Sequence, residues 1–175
     1  MNYFELFGLE AKFSLDLNEL SATFQTLQKT VHPDRFAHSS SQQQLMAVQK
    51  SSEINDAYQT LKQPILRGEY LLRLRGVELP SEQASFQDVS FLMAQMELRE
   101  MLAEIETASD PDAAIFSAQQ TLDLQAQQLW QQTEQLLAAN NAQANEQAGE
   151  LLRKLKFYQK LQLELERIED AMYDD

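Results

Sequence analysis

Apolar residues recur every three or four positions along almost the whole chain, and this spacing constrains the fold more than any other feature. Gly and Pro number four each in 175 residues, while Gln, Leu, Ala and Glu are abundant, a mixture that favours helix. Helix breakers are confined to a few places; after residue 68 the compact cluster is Gly76-Val77-Glu78-Leu79-Pro80-Ser81. We therefore predict an all-α chain interrupted at those breakers.

The breaker cluster separates two parts of different charge. Residues 1–75 carry eight basic and eight acidic residues, whereas residues 76–175 carry six basic and nineteen acidic ones and account for the net charge of −13. We predict one domain over 1–75, a linker over 76–83 and an acidic domain over 84–175. An acidic surface repels nucleic acid and anionic lipid and attracts a basic protein surface. Simple solubility is the alternative explanation.

The first part predicts two long antiparallel helices joined by a polar corner. A short helix, capped by Asn2 and stopped by Gly8, precedes them, and another follows over 65–75. Asp16 caps the first long helix and Pro33 ends it, because proline disfavours helical geometry at the residue before it. Its apolar stripe is Leu20, Phe24, Leu27 and Val31. The stripe of the second long helix is Ala47, Ile54, Ala57, Tyr58 and Leu61.

The second part predicts an antiparallel bundle of three helices, over about 86–107, 112–140 and 145–172. The stripe of its second helix is Ile115, Leu122, Ala126, Leu129, Trp130, Leu136 and Leu137. The stripe of its third helix is Leu151, Leu155, Tyr158, Leu161, Leu165, Ile168 and Met172. We expect the bundle to be held at an angle to the first domain, which would make the molecule L-shaped.

The polar corner between the two long helices contains the tripeptide His32-Pro33-Asp34. A lone His is more often structural than functional, and Pro and Asp are ordinary turn formers. As a contact device, Asp34 could accept a charge-assisted hydrogen bond from a basic group on a partner. Pro33 would keep the corner rigid, and His32 offers one donor and one acceptor.

Three segments together resemble the J-domain family: Asn2-Tyr3-Phe4-Glu5-Leu6-Phe7-Gly8-Leu9, the corner over 29–36, and Ile54-Asn55-Asp56-Ala57-Tyr58-Gln59-Thr60-Leu61. The resemblance implies that the corner docks on the ATPase domain of a DnaK-class chaperone and accelerates ATP hydrolysis. The implied contact residues are His32, Pro33, Asp34, Lys29 and Arg35. J-domains commonly carry several basic residues on the outer face of the second helix, whereas here only Lys29 lies opposite the Leu20 stripe, helped by Arg35. This departure bears on the strength and salt dependence of docking.

The first helix of the bundle has more large apolar residues than a core face needs. At about 100° per residue, its core face comprises Phe91, Ala94, Leu98, Met101, Leu102 and Ile105. A second face collects Leu92, Met93 and Met96 among Glu97, Glu100 and Glu104. An apolar patch rimmed by charge is more often a partner-binding surface than an accident. Packing of this second face on the first domain is the alternative.

The segments over 91–100 and Arg153-Lys154-Leu155-Lys156-Phe157 narrow the resemblance to the HscB family, the J-type co-chaperones of bacterial iron–sulfur cluster assembly. The resemblance implies that the partners are the chaperone HscA and the cluster scaffold IscU. The implied scaffold-binding residues are Leu92, Met93, Met96, Glu97, Glu100 and Phe157. From periodicity alone, Phe157 could equally flank the core. Some family members have a cysteine-rich N-terminal extension, and its absence here fits a bacterial type.

Catalytic and metal-dependent functions are poorly supported. His32, Asp34 and His38 have poor ligand spacing, and the row of Glu97, Glu100 and Glu104 lacks the Glu-x-x-His motif of di-iron bundles. We expect no cofactor and no metal, and, because no nucleophile and base stand out, no enzyme.

The sequence also suggests a compartment. Absence of Cys suits a reducing compartment, and neither a secretory signal nor a stretch of about 18 apolar residues is present, so we expect a cytoplasmic protein. The alternative functions are a general J-domain co-chaperone for other basic clients and a dimerising helical interaction protein.

Overall fold

The computed structural model describes residues 1–174 and confirms the all-α prediction, since no strand occurs among those residues. The helices in chain order are α1 (Tyr3–Leu6), α2 (Leu17–Val31), a 3₁₀ helix (Pro33–Phe36), α3 (Ser41–Lys62), α4 (Pro64–Leu74), α5 (Val89–Ala103), α6 (Pro111–Ala139) and α7 (Ala142–Tyr173). The first bundle helix is shorter than predicted at both ends: it begins at Val89, where Asp88 caps the first turn by accepting a hydrogen bond from the Phe91 N–H, and it ends at Ala103.

The predicted helix caps are confirmed in the N-terminal part. Asn2 and Glu5 form a capping box, in which the Glu5 N–H donates to Asn2 Oδ1 at 2.9 Å. The Asp16 side chain accepts from the backbone N–H groups of Asn18 and Glu19. Gly8 has a φ of +68°, a left-handed conformation that side chains with a Cβ disfavour, which explains why the short helix stops there.

The contacts divide the described chain into two compact units. The first comprises Met1–Glu78 together with Leu137–Asn140, and the second comprises Leu79–Leu136 together with residues 141–174. The Arg75 guanidinium donates to the Leu137 carbonyl at 2.9 Å, which joins the separate segment to the rest of the first unit.

In the first unit, α2 and α3 pack antiparallel through two pairs of side chains. The Ser51 hydroxyl donates to Gln28 Oε1 at 2.8 Å, and the rings of Phe24 and Tyr58 stack with centroids 4.1 Å apart. Because Gln28 pairs with Ser51 and the earlier Phe24 pairs with the later Tyr58, the two helices run in opposite directions. The predicted stripes face one another, with Leu20 and four residues of α3 buried and the others half-buried.

A buried arginine in α4 holds three segments of the first unit together, and apolar periodicity does not predict this contact. The Arg67 side chain donates to the carbonyls of Phe13 and Leu61, each at 2.7 Å, and its guanidinium lies 4.6 Å from the centre of the Phe13 ring. It is only 6% exposed. A charged group this buried is tolerated because its donors are satisfied, so Arg67 joins the segment before α2, the end of α3 and α4.

The second unit is a three-helix bundle in which α6 runs opposite to α7. The Tyr158 hydroxyl donates to Gln125 Oε1 at 2.6 Å, and Gln162 donates to Asp123 Oδ1 at 3.1 Å. The predicted core face of α5 is confirmed, as Phe91, Leu98 and Leu102 are buried and Ala94 and Met101 half-buried; Ile105, predicted for the same face, is buried just after the helix ends. Periodicity missed some buried positions in α6 and α7: Ala118, Thr133, Ala144, Ala148 and Leu152.

We predict that Arg67→Ala lowers the free energy of unfolding by about 2–4 kcal/mol, because two buried carbonyls lose their donors. Arg73→Ala in the same helix removes an exposed arginine and should change it by no more than about 0.5 kcal/mol. Urea unfolding followed by far-UV circular dichroism measures both. Equal effects of the two substitutions would contradict the structural role of Arg67.

Candidate functional site

The tripeptide His32-Pro33-Asp34 forms an exposed corner between α2 and the 3₁₀ helix. His32 is extended, with φ −58° and ψ 133°, as expected before proline, and α2 ends there. Its Nδ1 accepts a hydrogen bond from the Asp34 backbone N–H at 3.2 Å. In the neutral ring the proton is then on Nε2, which is left to donate to another molecule. The Asp34 carboxylate is almost fully exposed, 3.5 Å from His32 Nδ1.

Hydrogen bonds to backbone carbonyls hold the corner in place. The Arg35 guanidinium donates to the Lys29 carbonyl at 3.3 Å. The Gln44 side-chain amide donates to the carbonyls of Phe36, Ala37 and Ser39 at 3.1, 3.2 and 3.4 Å, which ties the start of α3 to the corner. The predicted contact residues lie together on this corner, with the side chains of Lys29, His32, Pro33, Asp34 and Arg35 all exposed. Sequence reasoning missed Gln44, which a lone Gln in a polar stretch does not reveal.

A second candidate site lies on the outer face of α5. Leu92, Met93 and Met96 are 41%, 59% and 68% exposed, although the opposite face of the helix is buried. Glu97, Glu100 and Glu104 are also exposed. Three large apolar side chains therefore lie in solvent beside three carboxylates, as predicted from the angular positions. We call Leu92, Met93, Met96, Glu97 and Glu100 the α5 patch.

Phe157 in α7 lies beside α5 and is half-buried. Its ring meets Phe91 edge to face with centroids 5.7 Å apart, and the Arg99 guanidinium lies 5.6 Å from its centre. Arg99 and Leu92 are seven residues apart and so lie within about 20° of each other around α5. Phe157 therefore borders the Leu92 side of the α5 patch and also flanks the core. Periodicity left a surface position and a core-flanking position as alternatives, and Phe157 combines the two.

The basic residues before Phe157 hold the segment that leads into α5. The ammonium groups of Lys154 and Lys156 bind the carboxylates of Asp88 and Glu82 at 2.8 and 2.7 Å. These hydrogen bonds hold the pKa values of both carboxyl groups below their ordinary range. The Arg153 guanidinium donates to the Ala84 carbonyl and lies 4.1 Å from the centre of the Phe86 ring. This basic run therefore has structural partners.

An open groove extends from the acidic side of the α5 patch towards α6. Its volume is about 340 Å³, and Glu97, Glu100 and Glu104 line it together with Met101, Ile105, Ala108, Ala114 and Ser117. The carboxylates and the apolar wall together suit a long basic side chain, whose stem is apolar and whose end is charged. Sequence reasoning did not place Ala114 or Ser117 here, because they belong to the next helix.

Two further kinds of site are not found among residues 1–174. No group of three or more His, Cys, Asp or Glu residues is arranged to hold a metal ion there, including His32, Asp34 and His38. Within the same residues, none of the helices is both long enough and apolar enough to cross a membrane.

Known proteins resemble this chain over its whole length. A family model described as the HSCB C-terminal oligomerisation domain matches residues 87–166. A co-chaperone protein HscB homolog of Colwellia psychrerythraea is 57% identical over 175 residues, 100% of each chain. The corresponding protein of Aeromonas hydrophila is 48% identical over 174 residues, 99% of each chain.

Two solved structures have the same fold. Chaperone HscB from Vibrio cholerae matches with a TM-score of 0.87 and 46% identity, over 98% of this chain and 99% of that one. The human co-chaperone protein HscB matches with a TM-score of 0.88 and 28% identity, over 97% of this chain and 82% of that one. Identity this high over complete chains, with the same fold, confirms the resemblance: the chain belongs to the HscB family of co-chaperones.

Proposed function

We propose that this co-chaperone binds the iron–sulfur cluster scaffold IscU, delivers it to the DnaK-class chaperone HscA and stimulates that chaperone's ATPase. In this proposal residues 1–75 act as a J-domain, 76–83 as a linker and 84–175 as the scaffold-binding domain. The observation that carries the proposal is the exposed apolar surface of α5, whose core face is already complete. In this proposal the tripeptide corner contacts the chaperone, and the exposed apolar surface of α5 contacts the scaffold.

The corner acts on the chaperone by contact, and the chemistry of ATP hydrolysis stays with the chaperone. Asp34 presents an exposed carboxylate that can accept a charge-assisted hydrogen bond from a basic group. His32 presents its Nε2 donor in a fixed orientation, because the Asp34 N–H occupies Nδ1. Since the corner is already ordered by Gln44 and Arg35, binding costs little conformational entropy there.

The α5 patch supplies affinity for the scaffold through burial and selectivity through charge. Leu92, Met93 and Met96 offer apolar area that is removed from water on binding. Glu97 and Glu100 at the rim favour a basic partner and disfavour an acidic one. Phe157 extends the apolar area on the Leu92 side. The patch and the corner belong to one chain, so a bound scaffold is presented to the chaperone at a high effective concentration.

Two other functions compete with scaffold delivery. The first is that of a general J-domain co-chaperone, which would use the same patch for other basic clients. The second is that of a dimerising helical interaction protein, because the family model that matches residues 87–166 is described as an oligomerisation domain. A pulldown with the purified full-length protein against a panel of basic proteins that includes IscU separates scaffold delivery from a general co-chaperone function. Selective recovery of IscU supports the proposal, whereas equal recovery of unrelated basic proteins supports a general co-chaperone.

His32→Gln should lower stimulation of the HscA ATPase by about tenfold or more, because the docking corner loses an anchor worth about 1.4 kcal/mol or more. Scaffold binding and helicity should not change. His38→Gln is the matched control, since it makes the same replacement at the other exposed histidine. Steady-state ATPase assays measure the effect. Full stimulation by His32→Gln would refute the role of the corner.

Leu92→Ala combined with Met96→Ala should weaken IscU binding by about 1–4 kcal/mol, or about 5- to 900-fold in Kd. Leu45→Ala with Met46→Ala removes the same two residue types from similarly exposed positions in α3 and should leave IscU binding unchanged. Isothermal titration calorimetry measures Kd, and thermal unfolding measures stability. If the first double variant loses stability and binding in proportion, its residues serve the core instead.

Glu97→Gln combined with Glu100→Gln should slow association with IscU by about 3- to 10-fold at low salt, because long-range attraction to a basic partner is lost. The difference should shrink as salt is added, because ions screen exposed charges. Glu134→Gln with Glu146→Gln makes the same change of net charge at other exposed positions. Stopped-flow measurements at several salt concentrations test this. Equal slowing by both pairs would show that only the net charge matters.

A further inference from the structure

Two of the three apolar side chains in the α5 patch are methionines. Met93 is 59% exposed and Met96 is 68% exposed. They are separated by about 60° around the helix and about 4.5 Å along it, so their side chains are neighbours. The scaffold-binding proposal uses them only as apolar area. Leucine would supply similar area, whereas the thioether sulfur of methionine also reacts with oxidants.

Elsewhere in the same unit, little sulfur is within reach of an oxidant. The whole chain contains no Cys and six Met. Met101 and Met172 are half-buried, while Met1 and Met46 are exposed but belong to the first unit. In the described part of the second unit, the exposed methionines are therefore the two in the α5 patch. An oxidant that reaches the surface of this unit modifies sulfur there first.

We propose that Met93 and Met96 form an oxidation site through which a peroxide lowers scaffold binding, an inference that rests on the proposed binding of IscU by the α5 patch. With hydrogen peroxide, a lone pair of the thioether sulfur forms the new S–O bond while the O–O bond breaks. The proton of the transferred hydroxyl goes to the departing hydroxide, which leaves as water. The sulfur is oxidised by two electrons to a sulfoxide, and the peroxide is reduced.

The free protein tolerates these sulfoxides because of where the two side chains lie. Both side chains are in solvent, so water can hydrate the new oxygen atoms. The buried side of α5, formed by Phe91, Leu98 and Leu102, contains no sulfur. Oxidation at the patch should therefore leave the stability of the bundle unchanged. Oxidation of a buried methionine would instead place a polar group in the core.

In the complex the same oxygen atoms lose their water. A sulfoxide oxygen accepts hydrogen bonds, but the neighbouring Glu97 and Glu100 carboxylates also only accept. The nearest basic side chain on α5, Arg99, already donates to Glu164 Oε2 at 2.9 Å. The patch itself therefore offers the new oxygen atoms no donor to replace water. Binding of the oxidised patch carries a desolvation cost that binding of the thioethers does not.

Treatment of the purified full-length protein with hydrogen peroxide tests the site. Catalase removes the peroxide before IscU is added, so that the scaffold meets no oxidant, and peptide mass spectrometry reports sulfoxide at each methionine. By isothermal titration calorimetry, the Kd for IscU should rise about tenfold or more, with the temperature of thermal unfolding unchanged. Methionine sulfoxide reductases acting on both sulfoxide epimers should restore the original Kd.

Two leucine variants locate the effect, and each is compared with its own untreated protein. In Met93→Leu combined with Met96→Leu, peroxide should change the Kd by less than about twofold, because the patch has no thioether left to oxidise. Met46→Leu is the matched control, since it makes the same replacement at a methionine that is 60% exposed and lies outside the patch. It should keep the loss of about tenfold, because its patch methionines are still oxidised.

An unchanged Kd after complete oxidation of Met93 and Met96 would overturn the oxidation site and leave the proposed scaffold binding intact. An equal loss of affinity in the double leucine variant would place the sensitive group elsewhere and overturn it as well. A fall in stability that parallels the loss of affinity would show that the sulfoxides disturb the fold. If the untreated protein does not bind IscU, the scaffold proposal itself is wrong and the oxidation site falls with it.

Discussion

The packing of Phe91 against α7 decides which side of α5 faces solvent. Its ring meets Phe157 and the half-buried Phe86 at 5.7 and 4.7 Å, and the Lys154 ammonium lies 5.2 Å from its centre. Because side chains on a helix have fixed angular positions, burying Phe91, Leu98 and Leu102 leaves the opposite face exposed. The α5 patch is therefore a consequence of core packing as much as of its own residues.

In the tripeptide corner, one set of residues orients the backbone and another set presents polar atoms to solvent. Arg35 and Gln44 bind backbone carbonyls and orient the corner, whereas His32 and Asp34 keep polar atoms available. Prior ordering of this kind reduces the entropy lost on docking. It bears on the proposed chaperone contact because α2 has few basic residues with which to attract a partner over a distance.

The helices, their caps and most of their buried faces could be predicted from the sequence. The Asn2 and Asp16 caps and the buried stripe of α3 depend on residues within a few positions of each other, so local spacing was enough. The exposed side of α5 was predictable for the same reason. The position of the loop before α5 was not, because its ion pairs join residues more than sixty positions apart.

By itself, the sequence determined the all-α fold, the corner at His32-Pro33-Asp34 and the surplus apolar face that begins at Leu92. Tertiary structure alone decided that Phe157 lies beside Arg99, that Arg67 bridges three segments and that Ala114 and Ser117 join the glutamates around a groove. The physical reason is the range of the interactions involved. Helix propensity, capping and amphipathic spacing act within a turn or two, whereas each of these contacts depends on how separate segments pack together.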